Sequence, residues 1–490
     1  MNKSGHGLDK GRVVVIGGGV AGLAAAYFLS GPRGRDAARV TVLEGSPGLG
    51  GKLRVSEVAG IAVDEGAEAM LARRPEGLEL VRDLGLTEGL RYPGTTAAAI
   101  WSYGALRAMP AGQVMGVPAD LVALARSQIL SRPGVVRVGL DLVRRPTPRG
   151  GDVSVAGYVG ARMGRELVDR LVEPLLGGVY AGRVDDLSFD ATLPAIAQAA
   201  RSHRSLVAAA RAIRAEGPAP DSTSAGPVFT TLEGGLGTLP RALADAVGAA
   251  GGTIRTEAMV RELRRTTEGW RLTVGPARDP EQIDADAVVI AVPARPAARL
   301  LAADVPAAAR ELDGIDYASM AIVTLAYAST AFPRLPAGSG YLVPAVEVGK
   351  TGVKAVTFST TKWPHLTRDL PGTVVARCSI GRYGDEHTLQ RSDDDLKAAA
   401  ITELAHTCGT RELPIDARVT RWGGGLPQYS VGHADRVARI RSAIAGAPGL
   451  TVCGAAYDGL GIPACVATAR AAATRVLDHL ADQAESRAWQ

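Results

Sequence analysis

One stretch near the start of the 490-residue chain restricts the fold more than any other: residues 13–29, VVVIGGGVAGLAAAYFL. Residues 13–16 form a short, wholly apolar, β-branched run, which is typical of a buried parallel strand. Gly17, Gly19 and Gly22 follow in the pattern G-x-G-x-x-G, and an alanine-rich helical segment comes next. This order of strand, glycine turn and helix predicts a dinucleotide-binding unit with a pyrophosphate at the helix N-terminus.

Each glycine has its own role in that prediction. Gly17 permits the tight turn, Gly19 lets the backbone approach the pyrophosphate, and Gly22 lets the helix pack closely on the strand. A second strand, RVTVLE, ends at Glu44, about twenty residues further on, where an acid is expected to bind the ribose hydroxyls. The expected cofactor contacts in this unit are Gly17, Gly18, Gly19, Val20, Ala21, Gly22, Glu44 and Gly45.

Composition excludes several classes of partner. The net charge is +5, the basic residues are scattered, and aromatic residues make up 4% of the chain, so nucleic acid binding is not expected. The small basic excess suits an anionic small substrate or an anionic lipid surface equally well. Residues 1–12 are polar and no apolar run reaches the ~20 residues of a membrane span. These features predict a cytoplasmic protein with at most peripheral membrane contact.

Cysteine and histidine usage gives no sign of a metal site. No cysteine forms a CxxC pair or lies at metal-ligand spacing from a histidine, so we expect free core cysteines and no bound metal. His406 and His433 are candidate catalytic residues, although satisfied or surface histidines are the favoured interpretation. The four cysteines are Cys378, Cys408, Cys453 and Cys465.

The sequence beyond Glu44 distinguishes FAD from NAD. GSPGLGGKLRV spans residues 45–55 and GIAVDEGAEAM spans residues 60–70. Both segments resemble the flavoprotein amine oxidase superfamily, in which they line an FAD. By that resemblance Gly50, Gly51, Lys52 and Leu53 lie along the pyrophosphate and ribityl chain, and Gly66, Ala67, Glu68 and Ala69 lie near the isoalloxazine.

The same resemblance extends to the C-terminal part of the chain. Residues 449–480 read as a strand, a glycine-containing loop and a helix beginning near Ala464. The helix N-terminus is expected to face the flavin N1–C2=O region, where negative charge accumulates on reduction. The strand near AMVREL is expected to bring Val260 against the adenine. The further expected cofactor contacts are Gly454, Leu460, Gly461, Ile462 and Pro463.

The superfamily contains amine oxidases, carotenoid desaturases and porphyrinogen oxidases, and the fold does not choose among them. A covalent flavin requires a cysteine in the C-terminal loop, whereas Cys453 lies in the strand and Cys465 in the helix. Tyr457 is the one aromatic residue of that loop, so an aromatic sandwich around an amine is not expected. A non-covalent FAD is therefore predicted, and a carotenoid desaturase stays open at this point.

Three further stretches resemble the protoporphyrinogen and coproporphyrinogen oxidase family. They are WSYGALRAMPAGQVMGVPAD at 101–120, RLVEPLLGGVYAGRVDDLS at 170–188 and WGGGLPQYSVGH at 422–433. The last begins with Trp422, which we expect at the cofactor. From local signals alone, the first stretch is predicted to form a hairpin with a Pro-Ala-Gly turn. In the second, Pro174 is predicted to kink a helix that Gly177 and Gly178 end.

That resemblance implies an α/β fold with three parts. A Rossmann-like FAD-binding domain is expected from residues 10–92, 226–296 and 425–485. A substrate domain with a mixed sheet is expected from residues 297–424. An inserted, mostly helical domain, of a type often described as membrane-associating, is expected from residues 93–225.

The resemblance also implies the reaction. A porphyrinogen loses six electrons and six hydrogens in three flavin cycles, a methylene carbon giving hydride to flavin N5, and dioxygen becomes hydrogen peroxide. Coproporphyrinogen III is the favoured substrate over protoporphyrinogen IX, and the next haem-pathway enzyme is a candidate partner. The alternatives are another superfamily oxidoreductase, a carotenoid desaturase or amine oxidase, and a non-catalytic flavin-binding scaffold.

No catalytic acid or base is predicted, because aromatisation of the macrocycle drives proton loss. The propionate groups of such a substrate need cations, and Tyr180 is expected at the pocket wall. The candidate cations are Arg73, Arg74, Arg91 and Arg183.

Overall fold

The computed structural model describes residues 11–31, 38–145, 147, 150–216, 226–349 and 351–488. Its strands are β1 Arg12–Ile16, β2 Arg39–Leu43, β3 Val55–Val58, β4 Ile61–Asp64, β5 Met70–Leu71, β6 Leu90–Arg91, β7 Ala98–Ser102, β8 Ala105–Ala108, β9 Gln113–Val114, β10 Val117–Pro118, β11 Phe229–Leu232, β12 Thr253–Arg255, β13 Val260–Arg265, β14 Trp270–Val274, β15 Glu281–Ala285, β16 Ala287–Ile290, β17 Tyr317–Ala328, β18 Gly340–Leu342, β19 Val353–Phe358, β20 Thr373–Ile380, β21 Asp416–Pro427 and β22 Leu450–Val452.

The helices are α1 Val20–Leu29, α2 Pro75–Asp83, α3 Leu121–Ser127, α4 Arg132–Gly139, α5 Val155–Met163, α6 Arg165–Leu167, α7 Glu173–Tyr180, α8 Phe189–Thr192, α9 Pro194–Ser202, α10 Leu206–Glu216, α11 Thr238–Ala249, α12 Ala294–Leu301, α13 Pro306–Asp313, α14 Ser359–Lys362, α15 Pro364–Asp369, α16 Asp393–Cys408, α17 His433–Ala445 and α18 Ile462–Ala488. Within the described residues, no helix combines the length and the apolar character that crossing a membrane requires.

A five-stranded parallel sheet in the order β12-β2-β1-β16-β22 forms one centre of the fold. Strands β1 and β16 are apolar along almost their whole length, because helices and loops cover both faces of the sheet. The strands predicted at residues 13–16, at RVTVLE and at the start of residues 449–480 are all present, which confirms the Rossmann-like α/β class.

Helices from distant parts of the chain cover this sheet. On one face α1, α11 and α18 share a core that includes Leu23, Leu243 and Val466. On the other face α12, α13 and α17 pack with the antiparallel strands β13, β14 and β15. Because β22 and α18 complete a sheet that β1 begins, the N-terminal and C-terminal parts of the chain build one unit.

A second, mixed sheet has the order β21-β17-β20-β19-β18-β7-β8. Its neighbouring strands are antiparallel except β18 and β7, which are parallel, and this confirms the predicted mixed sheet. Strands β7 and β8 belong to this sheet, although the expected division assigns residues 93–225 to a helical domain. The division into three domains otherwise stays a prediction.

The hairpin prediction for residues 101–120 was wrong in its turn. Strands β7 and β8 are joined by Tyr103 and Gly104, both with positive φ, and β9 and β10 by Met115 and Gly116, also with positive φ. Two residues with positive φ give a turn whose twist matches that of the paired strands. The Pro-Ala-Gly sequence at 110–112 therefore connects two hairpins instead of closing one.

The predicted end of the helix at Gly177 and Gly178 was also wrong. A π-helical turn at Val168–Val172 precedes Pro174, and α7 then continues through both glycines to Tyr180. The wider turn adjusts the helix just before the residue that lacks an N–H donor. The helix ends instead at Ala181, which adopts a left-handed conformation with φ 49°.

Candidate flavin and substrate site

The N-terminal glycine turn has the shape that the sequence predicts. Gly17 has φ 112°, and a Cβ on Gly22 would lie 1.9 Å from the Gly17 carbonyl oxygen. A Cβ on Gly19 would instead meet no atom within 4 Å. Gly19 precedes the first turn of α1, where backbone N–H groups lack helical partners. The turn therefore presents amide donors next to open space, which suits a pyrophosphate.

A second glycine pair lies against this turn. The Gly50 amide donates to the Gly18 carbonyl over 2.8 Å, and Gly19 and Gly50 form a parallel β-bridge. A Cβ on Gly51 would lie 3.4 Å from Gly19 Cα. We call residues 17–19 and 50–51 the glycine cradle. Next to it, burial lowers the pKa of Lys52 while nearby Cys465 opposes this shift, and Leu53 is buried in the core.

Glu44 lies at the end of β2, as predicted. Its carboxylate accepts hydrogen bonds from the Gly18 amide over 2.7 Å and the Ser46 amide over 2.8 Å. Each oxygen retains lone pairs for a further donor, so ribose hydroxyls are chemically suitable partners. The carboxylate therefore lies beside the glycine cradle.

Residues from the middle of the chain complete the adenine end of the expected site. The Ala258 amide donates to the Glu44 carbonyl over 2.8 Å, which brings Val260 into the same region. Val260 is buried, whereas Met259 is exposed and lies over Gly45, where a Cβ would be 2.6 Å from the Met259 methyl carbon. Sequence reasoning missed Met259, and no motif indicated it.

The 66–69 segment contacts Trp422 of β21. The Trp422 indole donates to the Glu65 carbonyl over 2.9 Å, and a Cβ on Gly66 would lie 3.3 Å from the indole ring. Arg377 of β20 donates to the Gly66 carbonyl over 2.5 Å. The second sheet therefore holds the backbone of this segment directly.

Glu68 directs its carboxylate towards cations of the second sheet and its helices. It pairs with Lys362 at 2.7 Å and Arg377 at 2.6 Å, and it accepts a hydrogen bond from Ser359 at 3.0 Å. Burial alone would raise the pKa of Glu68, but the two cations lower it below its ordinary value. Lys362, Arg377 and Ser359 were not predicted. We call these four residues the Glu68 cluster.

The C-terminal loop joins the glycine turn. A Cβ on Gly454 would lie 3.7 Å from Ala21 Cβ, and the Gly454 amide donates to Thr468 of α18 over 3.0 Å. Helix α18 begins at Ile462, two residues before the predicted start near Ala464, because Pro463 fits the first turn of a helix. The structure thus brings Gly454, Leu460, Gly461, Ile462 and Pro463 into one loop and helix start.

Tyr429 connects this loop to the stretch around Tyr180. Its hydroxyl donates to the Ala455 carbonyl and accepts from the Gly459 amide, both at 2.7 Å. Its ring lies 5.5 Å from the Tyr180 ring, and the neighbouring Gln428 donates to the Tyr180 carbonyl over 2.8 Å. Gln428 and Tyr429, which were not predicted as site residues, lie in the PQY sequence that supported the family resemblance. Tyr180 is therefore buried where the 170–188 stretch contacts the 422–433 stretch.

The two histidines considered as catalytic candidates, His406 and His433, both contact aromatic rings. His433 is buried, stacks on Tyr429 at 3.9 Å between centroids, and approaches the Tyr457 carbonyl through Nε2 at 3.1 Å. Burial lowers the pKa of His433 to about 4. His406 makes an edge contact with Trp101. The favoured interpretation of satisfied histidines therefore agrees with these contacts.

The candidate substrate cations differ in their surroundings. Arg73 and Arg183 are exposed, and Arg74 pairs with Glu76. Arg91 pairs with Glu233 and also donates to two backbone carbonyls. Two of the four candidates, Arg74 and Arg91, thus already have carboxylate partners.

The cysteines are free, as expected, and three of them are buried. Burial raises the pKa of Cys465 to about 11, and it also raises the pKa of Cys453. Thiols with raised pKa values stay protonated and are poor nucleophiles at neutral pH.

The parallel sheet, the glycine cradle and the acid at the end of β2 together define a dinucleotide-binding oxidoreductase of the flavoprotein type. Residues 20–477 match the family described as flavin containing amine oxidoreductase. The chain therefore belongs to this flavin-containing family, and within it to the branch of coproporphyrinogen III and protoporphyrinogen oxidases.

Individual relatives support this membership over nearly the whole chain. Coproporphyrinogen III oxidase of Mycobacterium leprae is 37% identical over 93% of this chain and 96% of its own length. Protoporphyrinogen oxidase of Bos taurus is 31% identical over 95% and 98%. A crystal structure from an Exiguobacterium species, assigned as a protoporphyrinogen oxidase, is 31% identical with TM-score 0.82, covering 97% of this chain and 100% of that one.

Proposed function

We propose that this protein is an FAD-dependent oxidase that converts coproporphyrinogen III to coproporphyrin III in haem biosynthesis. The observation that carries the proposal is the 37% identity, over 93% of the chain, to a coproporphyrinogen III oxidase. The ring contact between Tyr180 and Tyr429 supports the proposal, because this contact connects two of the three stretches that resemble porphyrinogen oxidases.

In the proposed reaction, one porphyrinogen and three dioxygen molecules give one porphyrin and three hydrogen peroxide molecules. Six electrons and six hydrogens leave the macrocycle, two of each per cycle. The flavin, when bound, accepts a hydride from a methylene bridge and passes electrons to dioxygen. The protein's own residues bind the substrate, orient it and exclude bulk water.

We further propose that the FAD is held without a covalent bond. The protonated, buried Cys453 and Cys465 are unsuited to attack a flavin methyl group. The glycine cradle and α1 would hold the pyrophosphate, Glu44 the ribose, and the start of α18 the pyrimidine side of the flavin. The proposed contacts are Gly17, Gly18, Gly19, Val20, Ala21, Gly22, Glu44, Gly45, Gly51, Lys52, Leu53, Gly66, Ala67, Glu68, Ala69, Val260, Trp422, Gly454, Leu460, Gly461, Ile462 and Pro463.

Protoporphyrinogen IX is the second candidate substrate. A relative named protoporphyrinogen oxidase matches this chain at 31% identity, close to the values for its coproporphyrinogen-oxidising relatives. The three-part domain division is proposed as described above, except that β7 and β8 belong to the second sheet. We also propose a cytoplasmic location and the next haem-pathway enzyme as a partner. A pull-down from a cytoplasmic extract with the holoenzyme as bait would test the last of these.

A fluorescence assay tests the proposed reaction. The purified protein should show a flavin absorption spectrum, and denaturation should release the flavin as FAD into the soluble fraction. Porphyrin fluorescence should rise faster than autoxidation when coproporphyrinogen III is added in air, with peroxide formed at three per porphyrin. Protoporphyrinogen IX is assayed in parallel. A rate equal to autoxidation with both substrates would contradict the proposal.

A further inference from the structure

Lys354 is a buried lysine that the proposed site does not yet include. It lies at a bulge where the pairing of β19 with β20 shifts register between Val353 and Ala355. The residue is only 3% exposed, and its Nζ atom makes no hydrogen bond with any residue that the structure describes. An ammonium group in such a position needs a partner to offset its lost hydration.

The charges around Lys354 are not balanced. Arg382 contacts a Glu173 carboxylate oxygen over 3.2 Å and the Val343 carbonyl over 2.9 Å. The other Glu173 oxygen accepts the Ala345 amide over 3.1 Å. Arg382 and Glu173 are the charged side chains that act on Lys354. The single Glu173 carboxylate, which is hydrogen-bonded to Arg382 and to the Ala345 amide, therefore faces two basic side chains.

The protonation of Lys354 reflects this imbalance. Burial and, to a smaller extent, the charge of Arg382 lower the pKa of Lys354 to about 7, and the Glu173 carboxylate opposes this shift. An added anion would favour the charged form of the lysine. The group is therefore responsive to a negative ligand near neutral pH.

The lysine lies beside the stretch that distinguishes porphyrinogen oxidases. Glu173 begins α7, the helix that ends at Tyr180, and α7 packs on β18 and β19. At this contact a Cβ on Gly178 would lie 3.6 Å from the Leu342 side chain. The unbalanced positive charge is thus located between α7 and the second sheet, next to the expected wall of the substrate pocket.

We propose that Lys354, together with Arg382, binds a propionate carboxylate of the porphyrinogen. The inference rests on the proposed function, because it assigns a substrate group to a cluster of that same site. A bound carboxylate would balance the second cation of the cluster. The flexible four-carbon stem of lysine allows its ammonium group to follow the substrate. Lys354 would then be a specificity-determining residue for an acidic macrocycle.

The substitution Lys354→Met tests this role. We expect KM for coproporphyrinogen III to rise about tenfold or more, with a smaller change in kcat, since a charge-assisted hydrogen bond to the substrate is lost. Lys354→Gln is a second variant without the charge, and Lys354→Arg should restore most of the affinity. The matched control is Lys397→Met, at a lysine that pairs with Asp394 on α16.

Two further measurements separate binding from stability. The dissociation constant of coproporphyrin III can be measured from the change in porphyrin fluorescence on binding, a signal that does not depend on flavin turnover. It should rise in parallel with KM. The melting temperature should stay the same or increase, because replacing an unpaired buried ammonium with an apolar side chain removes a desolvation cost. A lower melting temperature with unchanged KM and dissociation constant would overturn the proposal and give Lys354 a structural role.

Failure of the proposed function and failure of the Lys354 inference give different results. If the wild-type protein oxidises neither porphyrinogen, the proposed function fails, while the titration with coproporphyrin III still tests Lys354. If the wild type is active and all Lys354 variants keep its KM, the lysine inference alone fails. A KM increase limited to coproporphyrinogen III assigns Lys354 to a propionate that protoporphyrinogen IX lacks. An equal increase assigns it to a shared propionate.

Discussion

The rings of Tyr180 and Tyr429 lie 5.5 Å apart between centroids, tilted by 57°. Through the Tyr429 hydroxyl, this pair reaches the backbone of the loop that precedes α18. Tyr180, at the expected wall of the substrate pocket, is therefore linked through Tyr429 to the expected flavin loop at Ala455 and Gly459. Loss of the Tyr429 hydroxyl should therefore be detectable at the cofactor.

Removal of the Tyr429 hydroxyl should weaken that loop. In Tyr429→Phe, the Gly459 amide and Ala455 carbonyl lose their partner, so we expect a loss of about 1–3 kcal/mol in the free energy of unfolding. The dissociation constant of the flavin should rise several-fold. Tyr180→Phe is the matched control, because it preserves the ring contact. Equal flavin affinity in both variants and the wild type would contradict a positioning role for the hydroxyl.

A side chain at Gly19 should block the cofactor while leaving the protein folded. Gly19 has φ −75° and ψ 175°, which valine tolerates, and its Cβ would face open space along the cradle. We expect Gly19→Val to lose most of its flavin absorbance while its far-UV circular dichroism is retained. Gly48→Ala is the control, since Gly48 is exposed and its Cβ also meets no atom within 4 Å. A fully flavin-loaded Gly19→Val protein would refute the cradle assignment.

Neutralising Glu68 should destabilise the contact between the 66–69 segment and the second sheet with its helices. Glu68→Gln leaves Lys362 and Arg377 partly buried without their anion, so we expect a loss of about 3 kcal/mol in unfolding free energy, measured by denaturant titration. The control is Glu76→Gln, which removes one exposed pair with Arg74 and should change stability by about 0.5 kcal/mol or less. Similar losses in the two variants would contradict the cluster's importance.

Stability should depend on pH through His433. The pKa of His433 is about 4 in the folded protein, whereas a histidine in the unfolded chain has its ordinary pKa of 6.5. As the pH falls below 6.5, the unfolded chain therefore takes up a proton before the folded protein does. Unfolding free energy should thus decrease by up to about 3 kcal/mol between pH 6.5 and pH 4 and be unaffected above 6.5.

His433→Phe should remove this contribution while keeping the stack on Tyr429. His387→Gln, at an exposed histidine, is the control and should preserve the wild-type slope. The prediction is checked by denaturant titrations at half-unit pH intervals. A slope in His433→Phe equal to that of the wild type would show that other groups carry the pH dependence.

Much of the cofactor unit could be predicted from local sequence. Residues 13–16 of β1 and 287–290 of β16 are continuous apolar runs. Glycine spacing identified the turn, because a Cβ on Gly22 would collide with the Gly17 carbonyl. Such signals depend on neighbouring residues. The partners of Glu68 are about 300 residues away in sequence, so only the fold could reveal them.

The helix that ends at Tyr180 shows why local rules failed elsewhere. Gly177 and Gly178 look like a helix terminus, yet they serve close packing inside α7. A Cβ on Gly177 would lie 3.2 Å from the Glu173 carboxylate, and one on Gly178 would contact Leu342. Ala181 ends the helix, and its carbonyl accepts the Tyr383 amide over 2.7 Å. Tertiary contacts, which cannot be read from the local sequence, therefore determine that the helix ends at Ala181 and not at Gly177 and Gly178.

The parallel sheet has a consequence for biosynthesis on the ribosome. Strand β22 pairs with β16, and α18 covers α1, so the sheet that contains β1 is completed only after residues 450–488 have been translated. Until then the nascent chain exposes an unpaired edge on β16 and the apolar face of α1, both prone to aggregation. We therefore expect flavin loading to follow the synthesis and docking of α18.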